Sequence, residues 1–142
     1  MKFLLDTDHI SILQKQSGPE FAALMARLAH VASNDLAFCI ISFHEQALGC
    51  NAYLARAKSS AEIVRGYQMF DRVLTAFAAA RVLPYDTGAA VTYDGLSGQH
   101  LRIATMDLRI AAIALSQGLT LLTRNTRDFA KVPVLVIEDW TT

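Results

Sequence analysis

The chain of 142 residues is poor in several features that would mark other kinds of protein. It has two cysteines, Cys39 and Cys50, too few for a disulfide scaffold, so both are read as free thiols of a reducing compartment. Its histidines and cysteines show no CxxC or HxxxH spacing and give a zinc site no support. Neither a Gly-rich phosphate loop nor a GxSxG elbow is present, so a nucleotide cradle and a serine nucleophile lack a basis. Excess charge of one sign is missing too. The 13 Lys+Arg balance the 13 Asp+Glu, so any anionic partner would have to be met by local charge. No unbroken apolar run is longer than six residues, Leu36–Ile41 being an example, against about 20 for a spanning helix. Asp6 interrupts the apolar N-terminus before a signal-peptide core can form. A cytoplasmic protein without a membrane segment is the expectation.

What is present is a core-building composition. Hydrophobic residues make up 53% and charged residues 18%, which excludes a disordered chain and suits one domain over residues 1–142. Lys2–Leu5 reads as a buried strand closed by a polar turn at Asp6-Thr7-Asp8. Helical spacing begins near Ile10 and stops at Ser17-Gly18-Pro19, and Pro19 suits the first turn of a second helix carrying Phe21, Leu24, Met25 and Leu28. Leu36–Ile41 is a second strand, with a helix opening at Ser42 and running toward Arg56. A long amphipathic helix covers about Ala61–Ala80, and Val82-Leu83 is a short strand. Helices follow from Asp86 or Thr87 through Leu96, and from Thr105 or Met106 to Gln117, the latter ended by Gly118. Leu119–Thr123 and Val134–Ile137 are the last strands. Continuous apolar strands separated by helices indicate an α/β fold: a central, mostly parallel sheet of four to five strands, covered on both faces as an α/β/α sandwich.

In such a sheet, ligands bind outside the carboxyl ends of the strands. Asp6 closes the first strand, Glu45 lies just past the second, and Asn125 and Asp128 follow the Leu119–Thr123 strand. Asp107 opens the helix that leads through Gly118 into that same strand, which brings it to the same rim. Helix capping offers a bland account of some of these acids. Ser42-Phe43-His44-Glu45 fits a capping box, Thr105-Met106-Asp107 an N-cap with an acid in its first turn, and Asp8 an Asx turn or N-cap. Capping does not require that all of them share one edge of one sheet. Gathered carboxylates repel unless a positive charge sits among them, and Mg²⁺ or Mn²⁺ with oxygen ligands meets that need. Such an ion lowers the pKa of bound water and offsets charge on a phosphodiester. Between residues 101 and 131 five cations, Arg102, Arg109, Arg124, Arg127 and Lys131, outnumber Asp107 and Asp128, and they are candidates for contact with a phosphate backbone.

Four segments resemble, in order, the motifs of PIN domains, most closely the VapC-type toxins of toxin–antitoxin pairs. They are Leu4-Leu5-Asp6-Thr7-Asp8, Ser42-Phe43-His44-Glu45, Asp107 through Ala112, and Leu122 through Phe129. The tail through Glu138-Asp139-Trp140 is similar as well. The resemblance implies a PIN-like fold and an Mg²⁺- or Mn²⁺-dependent endoribonuclease, with an RNA substrate, a cognate antitoxin and a homodimer. It implies Asp6, Glu45 and Asp107 as metal-holding and catalytic acids, and Thr7 and Thr123 as hydroxyl residues that orient a carboxylate or water. Asn125 stands where a fourth acid is common, and Asp128 is the other candidate for that position. Asp8, where Asn is more usual, adds charge. An antitoxin segment would cover an apolar groove near the first two helices and the Ala61–Ala80 helix. Two other readings stay open: an aspartyl-phosphate-type phosphatase with Asp6 as nucleophile, and a PIN-like binding module without chemistry.

Overall fold

The computed structural model describes all 142 residues. Five short strands form one parallel sheet: β1 (Phe3–Leu5), β2 (Leu36–Cys39), β3 (Val82–Leu83), β4 (Thr120–Leu122) and β5 (Ile137–Glu138), in the order β3-β2-β1-β4-β5. The helices are α1 (Thr7–Lys15), α2 (Pro19–Leu28), α3 (Ile40–Arg56), α4 (Ser60–Ala78), α5 (Thr87–Ser97), α6 (Thr105–Gln117) and α7 (Thr126–Phe129). No helix is long and apolar enough to cross a membrane.

Strand alternation feeds two cores. Leu4 and Leu121 face one side, where they meet Ala37, Leu83 and the buried stretch Ile110–Ala114 of α6. Their neighbours Leu5 and Leu122 face the other, against Ile10, Leu24, Val73, Phe77 and Trp140 from α1, α2, α4 and the C-terminal segment. A two-residue period thus supplies both faces of one sheet, as expected where both are covered. The alanines of α6 let that helix lie close to the sheet, and Gly118, at φ 67°, turns the chain sharply from α6 into β4. Because α6 runs antiparallel to β4, its first turn comes back to the rim where β1 and β4 end.

The structure corrects several boundaries read from the sequence. Helix α1 starts at Thr7 rather than near Ile10, because Asp6 serves at once as strand end and N-cap, its side chain accepting the Thr7 N–H. Strand β2 ends at Cys39, and Ile40 and Ile41 form the first turn of α3. A short apolar run does not reveal where a buried strand becomes a buried helix. The capping box at Ser42 consequently does not form: Ser42 lies within the helix, and its Oγ faces Thr7 Oγ1 at 2.9 Å. The last strand is Ile137–Glu138, not Val134–Ile137. Val134 takes a left-handed φ of 71° and is 90% exposed, so the apolar run there leaves the sheet for solvent.

Candidate metal centre

Three segments distant in sequence deliver three carboxylates to the carboxyl-end rim of β1. Oxygens of Asp6, Glu45 and Asp107 all lie within 4.8 Å of one another. Asp6 is 5% exposed. One of its oxygens accepts the Thr7 N–H and the other accepts the Thr123 hydroxyl, both at 2.7 Å. Burial, helped by the charges of Asp8 and Asp107, pushes its carboxyl up to about 7 despite those two hydrogen bonds. Asp107 sits in the first turn of α6 and is half-buried. Burial, then the carboxylates of Glu45, Asp128 and Asp8, push it up to about 6. Glu45, in the second turn of α3, accepts the Thr7 hydroxyl on Oε1 at 2.8 Å.

The charge in this cluster is uncompensated from within the chain: none of the ion pairs of the structure involves Asp6, Glu45 or Asp107. An all-oxygen donor set, two carboxyls displaced upward and no cationic side chain together fit a hard divalent cation. They do not fit zinc, since the ring nitrogens of the buried His9 are turned to Asp8 and to the backbone of Trp140.

The remaining residues singled out in the sequence fall around this cluster in distinct ways. Asn125 presents its Nδ2 to Asp107 Oδ2 at 3.5 Å and to Asp128 Oδ2 at 3.2 Å, standing between the two acids. Asp128 lies outside the three-carboxylate cluster. Its carboxyl is held below the usual range by the Asn125 amide and by Lys131, whose Nζ is 3.3 Å away. Thr7 and Thr123 each donate to a cluster carboxylate. Asp8 caps neither a turn nor a helix start. It lies in the first turn of α1, with Oδ2 accepting the Arg124 N–H at 2.9 Å and Oδ1 2.7 Å from His9 Nδ1.

Of the five cations, Arg102, Arg124, Arg127 and Lys131 are exposed and Arg109 is half-buried. Lys131 is engaged by Asp128 and by the Arg102 carbonyl. The Arg109 guanidinium stacks at 6.0 Å over the Tyr93 ring. The adjacent acids that a phosphatase reading would call on are occupied elsewhere, Glu138 with Arg27 and the Trp140 indole, Asp139 with Thr141. Two residues of the neighbourhood escaped the sequence reading. Ser42, taken for a cap, is a buried neighbour of Thr7, and His9, passed over as an unpaired histidine, is fully buried beside Asp8. Nothing in the local sequence marked His9, which precedes the apolar spacing that begins at Ile10.

Comparison with known proteins places the sequence and the fold. The PIN domain family model matches residues 3–135. The chain is 31% identical to the tRNA(fMet)-specific endonuclease VapC of Salmonella typhimurium, an alignment covering 99% of this chain and 98% of that protein. Its fold superposes on a chain in the crystal structure of DNA-bound VapBC from Salmonella typhimurium with a TM-score of 0.77 and 26% identity, over 99% of this chain and 98% of that one. A chain of VapBC-1 from nontypeable Haemophilus influenzae shares the fold at a TM-score of 0.78 and 24% identity, over the whole of both chains. The full-length match in sequence and fold establishes that this chain belongs to the PIN domain family, in its VapC branch.

Proposed function

We propose that the protein is an endoribonuclease that depends on a divalent cation, Mg²⁺ or Mn²⁺, held by Asp6, Glu45 and Asp107, and that it is the toxin of a toxin–antitoxin pair. The observation that carries the reading is the meeting of three carboxylates, unpaired with any cation, at the carboxyl-end rim. When bound, the ion supplies Lewis acidity toward a phosphodiester and acidifies water. The chain's own residues do the rest. Asp6, fixed through both oxygens by Thr7 and Thr123, is a preorganised ligand. Asp107, steadied by Asn125, is the second. Glu45, held on Oε1 by the Thr7 hydroxyl, is the third. The exposed Arg124, on the turn after β4, and Arg127, in α7, bind and orient the phosphate backbone without choosing a sequence.

The antitoxin is assigned to the groove between α1 and α4. This groove of about 580 Å³ is lined by Ile10, Leu13, Phe38, Ala76 and Ala79 on its apolar side and by Asp71 and Arg72 on its polar one. It suits an amphipathic peptide segment. A homodimer in the cytoplasm completes the reading.

The test is cleavage of structured and single-stranded RNAs, initiator tRNA among them, with Mg²⁺ or Mn²⁺ against EDTA and against Asp6→Asn. Cleavage that stops on chelation and in a folded Asp6→Asn variant supports the reading. Cleavage that survives both overturns it.

A further inference from the structure

His9 is fully buried, although nothing in the reading above uses it. Both of its ring nitrogens are engaged. The Trp140 backbone N–H donates to Nε2 at 3.2 Å, so that nitrogen offers a lone pair and the ring proton belongs on Nδ1. Nδ1–H then donates to Asp8 Oδ1 at 2.7 Å. The other oxygen of Asp8 accepts the Arg124 N–H at 2.9 Å, in the turn that follows β4. Immediately before, Thr123 donates its hydroxyl to Asp6 at 2.7 Å and accepts the Asn125 N–H at 3.0 Å. Asn125 in turn faces Asp107 at 3.5 Å.

The far end of this chain of bonds is anchored. Trp140 is buried, its ring lies 4.8 Å from that of Phe3, and its indole N–H reaches Glu138 at 3.0 Å. Asp8 is thus held between two donors, the Arg124 N–H on Oδ2 and His9 Nδ1–H on Oδ1, and only His9 links it to the C-terminal segment. We propose, resting on the metal-centre reading, that His9 is a positioning residue: it ties the C-terminal segment at Trp140, through Asp8, to the Thr123–Asn125 turn that orients Asp6 and Asp107.

The experiment uses the full chain and Mn²⁺ as probe. Calorimetric Mn²⁺ titration and RNA cleavage are compared for wild type, His9→Phe and His9→Asn, and ring ¹⁵N shifts of wild-type His9 report its tautomer. His9→Phe fills the space but donates nothing, and it weakens Mn²⁺ binding about 10-fold or more, the scale typical of outer-shell partners. It lowers kcat while leaving KM for RNA unchanged. His9→Asn keeps an N–H near the Nδ1 position and recovers most of the affinity, which a purely structural role would not produce. A ring proton on Nε2, wild-type affinity in His9→Phe, or no recovery in His9→Asn overturns the proposal. The tautomer is read on wild type, so the proposal stays open to refutation even where a variant fails to fold. Wild type that binds no Mn²⁺ overturns the metal centre and this inference with it, whereas unchanged binding in His9→Phe overturns this inference alone.

Discussion

Two regions of this molecule are left incomplete in opposite ways. At the carboxyl-end rim, charge is gathered and partly buried without a cation to balance it. In the groove between α1 and α4, apolar side chains such as Leu13 and Ala76 are only half-buried, although the same helices bury Ile10 and Phe77. The first arrangement costs electrostatic free energy that a cation or a proton relieves; the second leaves apolar surface that another chain can bury. The rim is also the more densely hydrogen-bonded of the two. Each oxygen of Asp6 has a donor, and the Thr123–Asn125 turn is tied from both sides. The groove is bordered by side chains that bond mainly within their own region, such as Gln14 with Gln46. A hydrogen-bonded, charged rim suits a small ion held in one geometry, whereas an open, apolar groove suits a peptide that adapts.

The comparison is broken most severely at Asp6. Asp6→Asn should lower RNA cleavage by more than the ~10–100-fold that outer-shell partners cost, while leaving antitoxin binding at the groove unchanged. Retained cleavage in a folded variant would show that the rim is merely structural. Next in size is the pH dependence of metal-free stability. Asp6, up to about 7, and Asp107, up to about 6, hold protons more tightly folded than unfolded. Their contribution to stability is therefore complete below the usual carboxylate pKa and is lost as pH rises through 6 to 7. Thermal melts in EDTA should fall between pH 5 and pH 8 by the equivalent of roughly a few kcal/mol at most, and saturating Mn²⁺ should flatten the trend. A melt that rises over this range without metal would contradict the proposed charge imbalance.

On the other side, Ala76→Arg should weaken antitoxin binding by about 10-fold or more, one desolvated charge in an apolar groove being enough, with RNA cleavage unaffected. Equal loss of both would mean that groove and rim are not independent. Asp128→Asn sharpens the boundary of the rim. Lying outside the cluster and paired with Lys131, it should cost cleavage about 10-fold or less, far below Asp6→Asn. The smallest effect is expected from Arg127→Ala. Salt titration of RNA binding should lose a slope of about 1, with kcat preserved, if this exposed side chain meets a single phosphate.

Much of this contrast was legible in the residues. Short apolar runs separated by amphipathic stretches specify a parallel sheet covered on both faces, and acids after the strands specify which end gathers the carboxylates. Asp6, Glu45 and Asp107 could be named because strand ends and helix starts are local events, written in local spacing. Boundaries were harder. Whether Ile40-Ile41 closes β2 or opens α3 depends on what each residue is packed against. Asp8 likewise looked like a cap from its neighbours alone, and became a link only because the turn after β4 comes to meet it.

The order of elements and the identity of the acids were thus determined by the sequence, since periodicity and strand-end position follow from bonds between near neighbours. Only the tertiary structure decided the company each acid keeps: that Asn125 stands between Asp107 and Asp128, that Thr7 serves Glu45, and that a buried histidine joins Asp8 to the backbone of Trp140. Those relations span as many as 131 residues of chain, and hydrogen bonds over such separations exist only after hydrophobic burial has closed the sheet and docked its helices.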